Sequence, residues 1–188
     1  WHLRVVADVE VPDEDLRRLL AARAARVRPG RDEKILTGWN ALAIKGLVEA
    51  ARLLDRADFA DAAARAMEFL HSNHWRDGRL LATSRAGQSR LPAYLDDHAL
   101  LLDALLMLCT LRFDARWLTF AAQLADALLD RFEDAEHGGF FFTAHDHESL
   151  IHRSRSFHDD ATPSGNAVAA SALQRLGWLL GEPRYLVA

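Results

Sequence analysis

Residues 158–166 read His-Asp-Asp-Ala-Thr-Pro-Ser-Gly-Asn and stand directly before an apolar segment. Thr162 followed by Pro163 is typical of an N-cap and a first helical position, so the sequence predicts a helix that starts there. The amino end of that helix would carry unpaired N–H groups and the positive end of the helix dipole, close to Asp159 and Asp160. This stretch therefore predicts both an element of the fold and a place for chemistry.

The same arrangement, acids or amides before an apolar helix, occurs twice earlier in the chain. Each time, a polar residue near the helix start lies 19 residues before an aromatic residue that opens the following helix. The pairs are Asn40 and Phe59, His98 and Trp117, and Asn166 and Tyr185. A long period of helix, turn, helix and hairpin predicts stacked helical hairpins.

The helices divide into two kinds. The two that start near Thr37 and at residues 92–98 are apolar nearly all round, which predicts buried inner helices. The apolar helix that starts near Thr162 is predicted to be the third inner helix. Those that begin near Phe59 and Trp117 keep a polar face and are predicted to lie outside them. Short β-hairpins are predicted after Gly78 and Gly138, and a leading helix is predicted within residues 1–30.

These elements predict an all-α fold in which residues 1–188 form part of one domain, with residues 31–188 as the helical-hairpin repeats. The repeats either stack openly or close into an α/α toroid with an inner and an outer ring. In a toroid, all inner-helix starts point to one end. That end would gather the candidate site residues, which are Trp39, Asn40, Asp96, Asp97, His98, Asp159, Asp160, Ser164 and Asn166.

The composition excludes several classes of protein. The net charge of −4 gives no basic surface for nucleic acid, and no apolar run is long enough to span a membrane. The single cysteine, Cys109, and the absence of a signal peptide predict a reducing, cytoplasmic setting. Because the chain starts at Trp1 without a methionine, we expect it to be a piece of a longer protein. The third unit lacks most of its outer helix after Tyr185, which predicts self-association through an open side.

The acids suggest catalysis on a carbohydrate, by a hydrolase or an epimerase. Cleavage of a glycosidic bond requires a pair of carboxylates, and Asp97 with Asp159 is the predicted pair, supported by Asp96 and Asp160. A sugar would be bound by Trp39, Asn40, His98, Ser164 and Asn166. An epimerase would instead use His98 as acid or base. A ligand-binding module and a helical scaffold for a protein partner remain alternatives.

Neither a cofactor nor a metal is predicted. Four histidines, His145, His147, His152 and His158, lie close together in the sequence with Asp146, but their spacing matches no closed zinc site. A tip of a hairpin with this composition is typical of a solvated loop.

Four motifs in this order resemble the YyaL-like proteins, known in animals as spermatogenesis-associated proteins. The motifs are Lys-Ile-Leu-Thr-Gly-Trp-Asn at 34–40, Tyr-Leu-Asp-Asp-His-Ala at 94–99, Gly-Gly-Phe-Phe at 138–141 and Ala-Thr-Pro-Ser-Gly-Asn at 161–166. The resemblance implies an amino-terminal thioredoxin-like domain, absent from this chain, and then an α/α toroid similar to six-hairpin glycosidases and acylglucosamine epimerases. It implies no assigned activity.

The chain departs from the family pattern at two motifs. Where Asp-Asp-Tyr is expected, it has His98 after the two acids, so an imidazole replaces a phenol. Where Asp-Gly-Ala is expected, it has Asp159, Asp160 and Ala161, which makes Asp159 the acid that aligns with the family.

Overall fold

The computed structural model describes residues 11–187, which divide into two units on either side of the Asp32–Glu33 bond. The first unit contains helix α1, Asp13–Ala24, with acids in its first turn. The acids face the positive end of the helix dipole, as predicted for the leading helix. Residues 1–10 of that leading segment lie outside the described residues.

The second unit contains five α-helices, one 3₁₀ helix and four short strands within the described residues. In chain order these are β1 Ile35–Leu36, α2 Thr37–Leu54, α3 Ala57–His74, β2 Trp75–Arg76, β3 Arg79–Arg85, β4 Gln88–Pro92, α4 Leu95–Leu111, α5 Ala115–Phe132, α6 Gly165–Leu180 and the 3₁₀ helix Pro183–Tyr185.

Helix α4 is the centre of the second unit and packs against α2, α5 and α6. Its apolar residues surround the helix, and side chains such as Leu101, Leu102 and Leu105 are completely buried. Each buried leucine contributes about 1.5–3 kcal/mol to the free energy of folding. The three predicted inner helices, α2, α4 and α6, pack side by side, with α3 against α2 and α5 against α4. Of these three, α4 is buried nearly all round, as its apolar pattern predicts, whereas α2 and α6 each keep an exposed face that includes Trp39 and Trp178.

A buried acid ties the three inner helices together. Asp103 of α4 is 6% exposed, and its carboxylate accepts hydrogen bonds from Lys45 of α2, at 2.6 Å, and from Arg175 of α6. A buried carboxylate needs such partners because its charge loses the stabilisation of water.

A small antiparallel sheet stands beside the amino ends of the inner helices. Strand β3 pairs with β1, β2 and β4, and the register of its pairing with β4 places Thr83 opposite Arg90 and Arg85 opposite Gln88. This confirms the hairpin predicted after Gly78. Within the described residues the fold is therefore mainly helical, as predicted, and four short strands form a small sheet.

Strand β3 is joined to the start of α2 through a buried imidazole. Thr37 donates its hydroxyl hydrogen to the carbonyl oxygen of Leu81 at 2.6 Å, so its oxygen accepts from Nδ1–H of His74 at 2.7 Å. The Nε2 atom of His74 then accepts from the Ser84 hydroxyl at 2.8 Å. Burial lowers the pKa of His74, which favours the neutral ring that this chain of hydrogen bonds requires.

The prediction of a β-hairpin after Gly138 is wrong. Within the described residues, this segment forms a single bridge, between Glu133 and Phe140. The side chain of Asn166 instead forms hydrogen bonds with both polar backbone groups of Phe140. Its Oδ1 accepts from Phe140 N–H at 2.7 Å, and its Nδ2 donates to Phe140 O at 2.9 Å. A neighbouring strand would need those same two groups.

The predicted start of the third inner helix is also corrected. Helix α6 begins at Gly165, with Ser164 as its N-cap residue, rather than at Thr162 and Pro163. The Asp159 carboxylate accepts a hydrogen bond from Ser164 N–H at 2.9 Å and so fixes the residue just before the helix, although no side chain caps the N–H groups of the first helical turn within the described residues.

Within residues 11–187, no helix combines the length and the apolar character that a membrane crossing requires.

Candidate functional site

The amino ends of α2 and α4 and one face of the β3–β4 hairpin enclose a cavity of about 330 Å³, here called the carboxylate cavity. Two adjacent acids, Asp96 and Asp97, contribute its negative charges, and Trp39 contributes an indole. The other residues that line it are Lys34, Leu36, Gly38, Ala82, Thr83, Leu91, Tyr94, Leu100, Phe142 and Thr162.

Asp97 is held rigidly by backbone groups from two inner-helix starts. Its Oδ1 accepts from Gly38 N–H at 2.8 Å, and its Oδ2 accepts from Tyr94 N–H at 3.0 Å. Burial raises the pKa of Asp97 to about 6, because loss of hydration outweighs these two hydrogen bonds. The charge of Asp96 raises it further. Asp97 therefore exchanges a proton close to neutral pH.

Asp96 lies on the other side of the same helix start, against the first residue of α6. A Cβ atom added to Gly165 would come within 2.1 Å of its Oδ1, so only glycine leaves room for this carboxylate. Asp96 has no hydrogen-bond or ion-pair partner within residues 11–187. Burial raises its pKa as well. Its carboxylate is free to act on a ligand.

Aromatic side chains form an apolar wall of the carboxylate cavity. Trp39 is 68% exposed at the first turn of α2, which leaves its indole available to a ligand. Tyr94 and Phe142 stack with ring centroids 4.8 Å apart and an angle of 12° between their planes. An exposed aromatic face beside carboxylates is typical of a site for a molecule with both apolar and polar faces, such as a sugar ring.

A second cavity of about 210 Å³, here called the loop cavity, adjoins the first and shares Asp96, Phe142 and Thr162 with it. Asp160 and Ser164 line it, so the structure brings these two predicted residues next to Asp96. Asp159 lines neither cavity; it is exposed and accepts from Ser164 N–H. Its pairing with Asp97 stays a prediction.

The remaining predicted site residues do not line the carboxylate cavity. Asn40 donates to the carbonyl oxygen of Leu36, the residue just before its own helix, at 2.8 Å. Asn166 is buried, and its amide forms hydrogen bonds with the backbone of Phe140 and with the carbonyl oxygen of Ser156. His98 is buried and faces a different cavity, which is large enough for about one water molecule.

Sequence reasoning missed two residues in the cavity wall. Thr83 lies on β3, and its hydroxyl oxygen is buried without a hydrogen-bond partner within the described chain. The burial pattern of β3 gives a signal for it, because Thr83 is only partly buried and lies between the buried residues Ala82 and Ser84. Leu91 has a φ of 62°, a strained conformation for leucine that no sequence pattern indicates.

The histidine-rich loop does not form a metal site in the described part of the chain, where no group of three or more His, Cys, Asp or Glu side chains is arranged to hold an ion. Asp146 accepts instead from Arg79 at 2.5 Å.

Solved structures share this arrangement of helices. The cellobiose 2-epimerase of Spirochaeta thermophila aligns with a TM-score of 0.64 and 19% identity, over 92% of this chain and 52% of the epimerase. A sugar epimerase from a ruminal bacterium aligns with a TM-score of 0.67 and 12% identity, over 83% of this chain and 42% of its own. At such low identities the likeness defines the fold, and it places the chain in the class of α/α-toroid proteins.

A third structural neighbour is an α-1,6-mannanase from a Salegentibacter species, solved as an inactive variant in complex with α-1,6-mannotriose. In that variant, two consecutive aspartates are replaced by asparagine. It aligns with a TM-score of 0.63 and 17% identity, over 92% of this chain and 48% of the mannanase.

The sequence matches identify the family. Rat spermatogenesis-associated protein 20 is 32% identical over 99% of this chain, and the human protein is 30% identical over 91% of it. No protein-family model matches the sequence. The chain is a homologue of the spermatogenesis-associated proteins, the family that its four motifs predict. It spans about a quarter of the length of these relatives, 25% of the rat protein and 23% of the human protein.

Proposed function

We propose that the carboxylate cavity binds a carbohydrate and cleaves a glycosidic bond, with Asp96 and Asp97 as the reacting pair. The observation that carries this proposal is the presence of two carboxyls with raised pKa beside an exposed indole in one cavity of about 330 Å³. Glycosidic bond cleavage needs one protonated and one ionised carboxyl on either side of the bond.

The environments of the two acids support different roles. Asp97 has a pKa of about 6 and fixed geometry, so it is the proton donor to the leaving oxygen. Asp96 has no hydrogen-bond or ion-pair partner within the described residues, and it lines both cavities. It is therefore the nucleophile, or the base that activates water. The sugar ring packs on Trp39, whose indole matches the apolar face of a pyranose.

The structural neighbours add support. The mannanase neighbour is inactive when two consecutive aspartates are replaced, and Asp96 and Asp97 are consecutive here at the mouth of a cavity. An epimerase that used His98 is less well supported, because the His98 ring faces away from this cavity. The carboxylates are therefore the acid and base of the proposal.

Hydrolysis of α-1,6-mannotriose tests the proposal, with mannose release as the readout. Asp96→Asn and Asp97→Asn should each lower the rate by about 10²–10⁴-fold, since each removes a group that acts in the transition state. Asp130→Asn, which alters an exposed acid on α5, is the matched control and should retain the wild-type rate. Equal rates in all four proteins, or no cleavage by the wild type, would refute the hydrolase.

The pH dependence of the rate provides a second test. A general acid works only while protonated, so the wild-type rate should fall as the pH rises through about 6, the pKa of Asp97. The residual rate of Asp97→Asn should lack this fall. A descending limb that persists unchanged in the variant would assign the proton to another group.

A further inference from the structure

A third cavity, of about 520 Å³, continues from the carboxylate cavity across the β3–β4 hairpin. The two cavities share Lys34, Thr83 and Leu91. The third cavity differs in charge, because Arg85 and Arg90 line it together with Gln88. It is called the arginine cavity below.

The register of the hairpin places both arginines on the face that borders the carboxylate cavity. Thr83 and Arg85 are two residues apart on β3 and therefore point to the same side. Arg90 lies directly opposite Thr83, and Gln88 lies opposite Arg85. Thr83 lines the carboxylate cavity, so the guanidinium groups extend the same surface.

Neither of the two arginines pairs with an acid in the part of the chain that the structure describes. Within residues 11–187, neither Arg85 nor Arg90 forms an ion pair, and Arg90 donates only to the neutral oxygen of Gln88, at 2.6 Å. Two like charges on neighbouring strands repel each other unless an anion lies between them. Arginine is also the side chain whose planar donors best match a carboxylate or a phosphate.

We infer that the carbohydrate bound in the carboxylate cavity bears an anionic group, a carboxylate or a phosphate, which Arg85 and Arg90 bind across the hairpin. The inference rests on the proposed carbohydrate site and names its class of ligand. The sugar ring lies over Trp39 near the two acids, and the anion lies about one residue pair further along the hairpin. The cationic end offsets the repulsion between an acidic sugar and the carboxylates.

A matched set of ligands tests the inference, namely D-mannose, D-mannuronate and D-mannose 6-phosphate, with dissociation constants measured by NMR titration. The wild-type chain should bind at least one acidic sugar about tenfold more tightly than mannose, and the stronger of the two identifies the anion. Raising the salt concentration should reduce this preference.

The double variant Arg85→Gln/Arg90→Gln should abolish the preference and leave mannose binding unchanged. Arg65→Gln, an exposed arginine on α3, is the control and should bind all three ligands as the wild type does. Melting curves of each variant verify that the fold is retained.

Three results would overturn the inference. Equal binding of mannose and both acidic sugars would leave the carbohydrate site in place without an anion subsite. Equal binding of inorganic phosphate and mannose 6-phosphate would show an anion site that does not act with a sugar site. Binding of none of the sugars, α-1,6-mannotriose included, would remove the proposed function itself.

Discussion

The imidazole of His98 lies inside the protein, and its Nδ1–H donates a hydrogen bond to the carbonyl oxygen of Tyr94 at 2.9 Å. Its Nε2 atom has no partner within the described residues. Burial lowers the pKa of His98 to about 4, and the nearby charge of Arg131 lowers it further. The ring is therefore neutral in the folded protein across the range in which an exposed histidine titrates.

This shift predicts a loss of stability in acid. The unfolded chain binds a proton at His98 below its ordinary pKa of 6.5, whereas the folded chain does so only near 4. The stabilisation is thus complete above pH 6.5 and is lost as the pH falls towards 4. Asp97 has the opposite effect. Its carboxyl ionises near pH 3.8 in the unfolded chain but only near 6 in the folded protein, so the free energy of unfolding falls as the pH rises towards 6.

His98→Asn isolates the effect of the histidine. Asparagine is expected to keep the bond to the carbonyl four residues earlier, as Asn40 does with Leu36. Between about pH 7 and pH 4.5, the free energy of unfolding should fall by about 2–3 kcal/mol less in the variant than in the wild type. Urea unfolding at the two pH values measures this. An identical fall in both proteins would mean that His98 is protonated in the fold.

At this scale, the sequence predicts which residues gather but not where their side chains point. The spacing of helix starts predicts that Trp39, Asp96 and Asp97 lie together, and all three line one cavity. The spacing does not reveal that the amide of Asn166 forms hydrogen bonds with the backbone of Phe140, because those bonds depend on the path of a loop 26 residues earlier in the chain. Polar side chains at the starts of the inner helices thus have different roles, because Asp96 and Asp97 line a cavity whereas Asn166 fixes a loop.

Among the elements, the junction between α4 and α6 is the most sensitive to side-chain volume. Gly165 opens α6 where the Asp96 carboxylate lies, and a methyl group would overlap it at 2.1 Å from Oδ1. Gly46 offers a contrast, since a Cβ atom there meets nothing within 4 Å in the exposed part of α2.

Gly165→Ala should displace Asp96 and impair binding of α-1,6-mannotriose, with a cost of about 1–3 kcal/mol in the free energy of unfolding. Gly46→Ala should raise that free energy by about 0.5–1 kcal/mol, because alanine favours the helix, and should leave binding unchanged. Thermal unfolding measures the change in stability of both variants, and a titration with α-1,6-mannotriose measures the change in binding. Wild-type binding by Gly165→Ala would mean that the position of Asp96 is unimportant for the ligand.

Helices were more predictable than the segments between them. The apolar pattern predicted α2, α4 and α6 as inner helices, and all three form and pack together because burial of apolar side chains stabilises them. Complete burial holds for α4, whereas α2 and α6 keep an exposed face. The Gly-Gly-Phe signal after Gly138 predicted a hairpin that does not form. Strand propensity depends on a partner strand, and there the Asn166 side chain takes the backbone groups that such a partner would need.

For the whole molecule, self-association stays a prediction. Trp178 and Leu179, at the carboxyl end of α6, are 74% and 59% exposed. Large exposed apolar side chains favour association because burying them releases water. Light scattering should show oligomers of the chain whose fraction rises with concentration.

Trp178→Gln/Leu179→Gln should shift that equilibrium to the monomer. Phe113→Ser, at an exposed turn residue that is 71% accessible, is the control and should not. A wild-type chain that stays monomeric at every concentration would contradict the prediction.

The central claim is that the starts of the inner helices form a carbohydrate site around Asp96 and Asp97. The most direct test is a crystal structure of the Asp96→Asn variant soaked with α-1,6-mannotriose. The account predicts a sugar ring on the indole of Trp39 and a glycosidic oxygen about 2.6–3.2 Å from the Asp97 carboxyl. A trisaccharide bound elsewhere, with the carboxylate cavity empty, would contradict it.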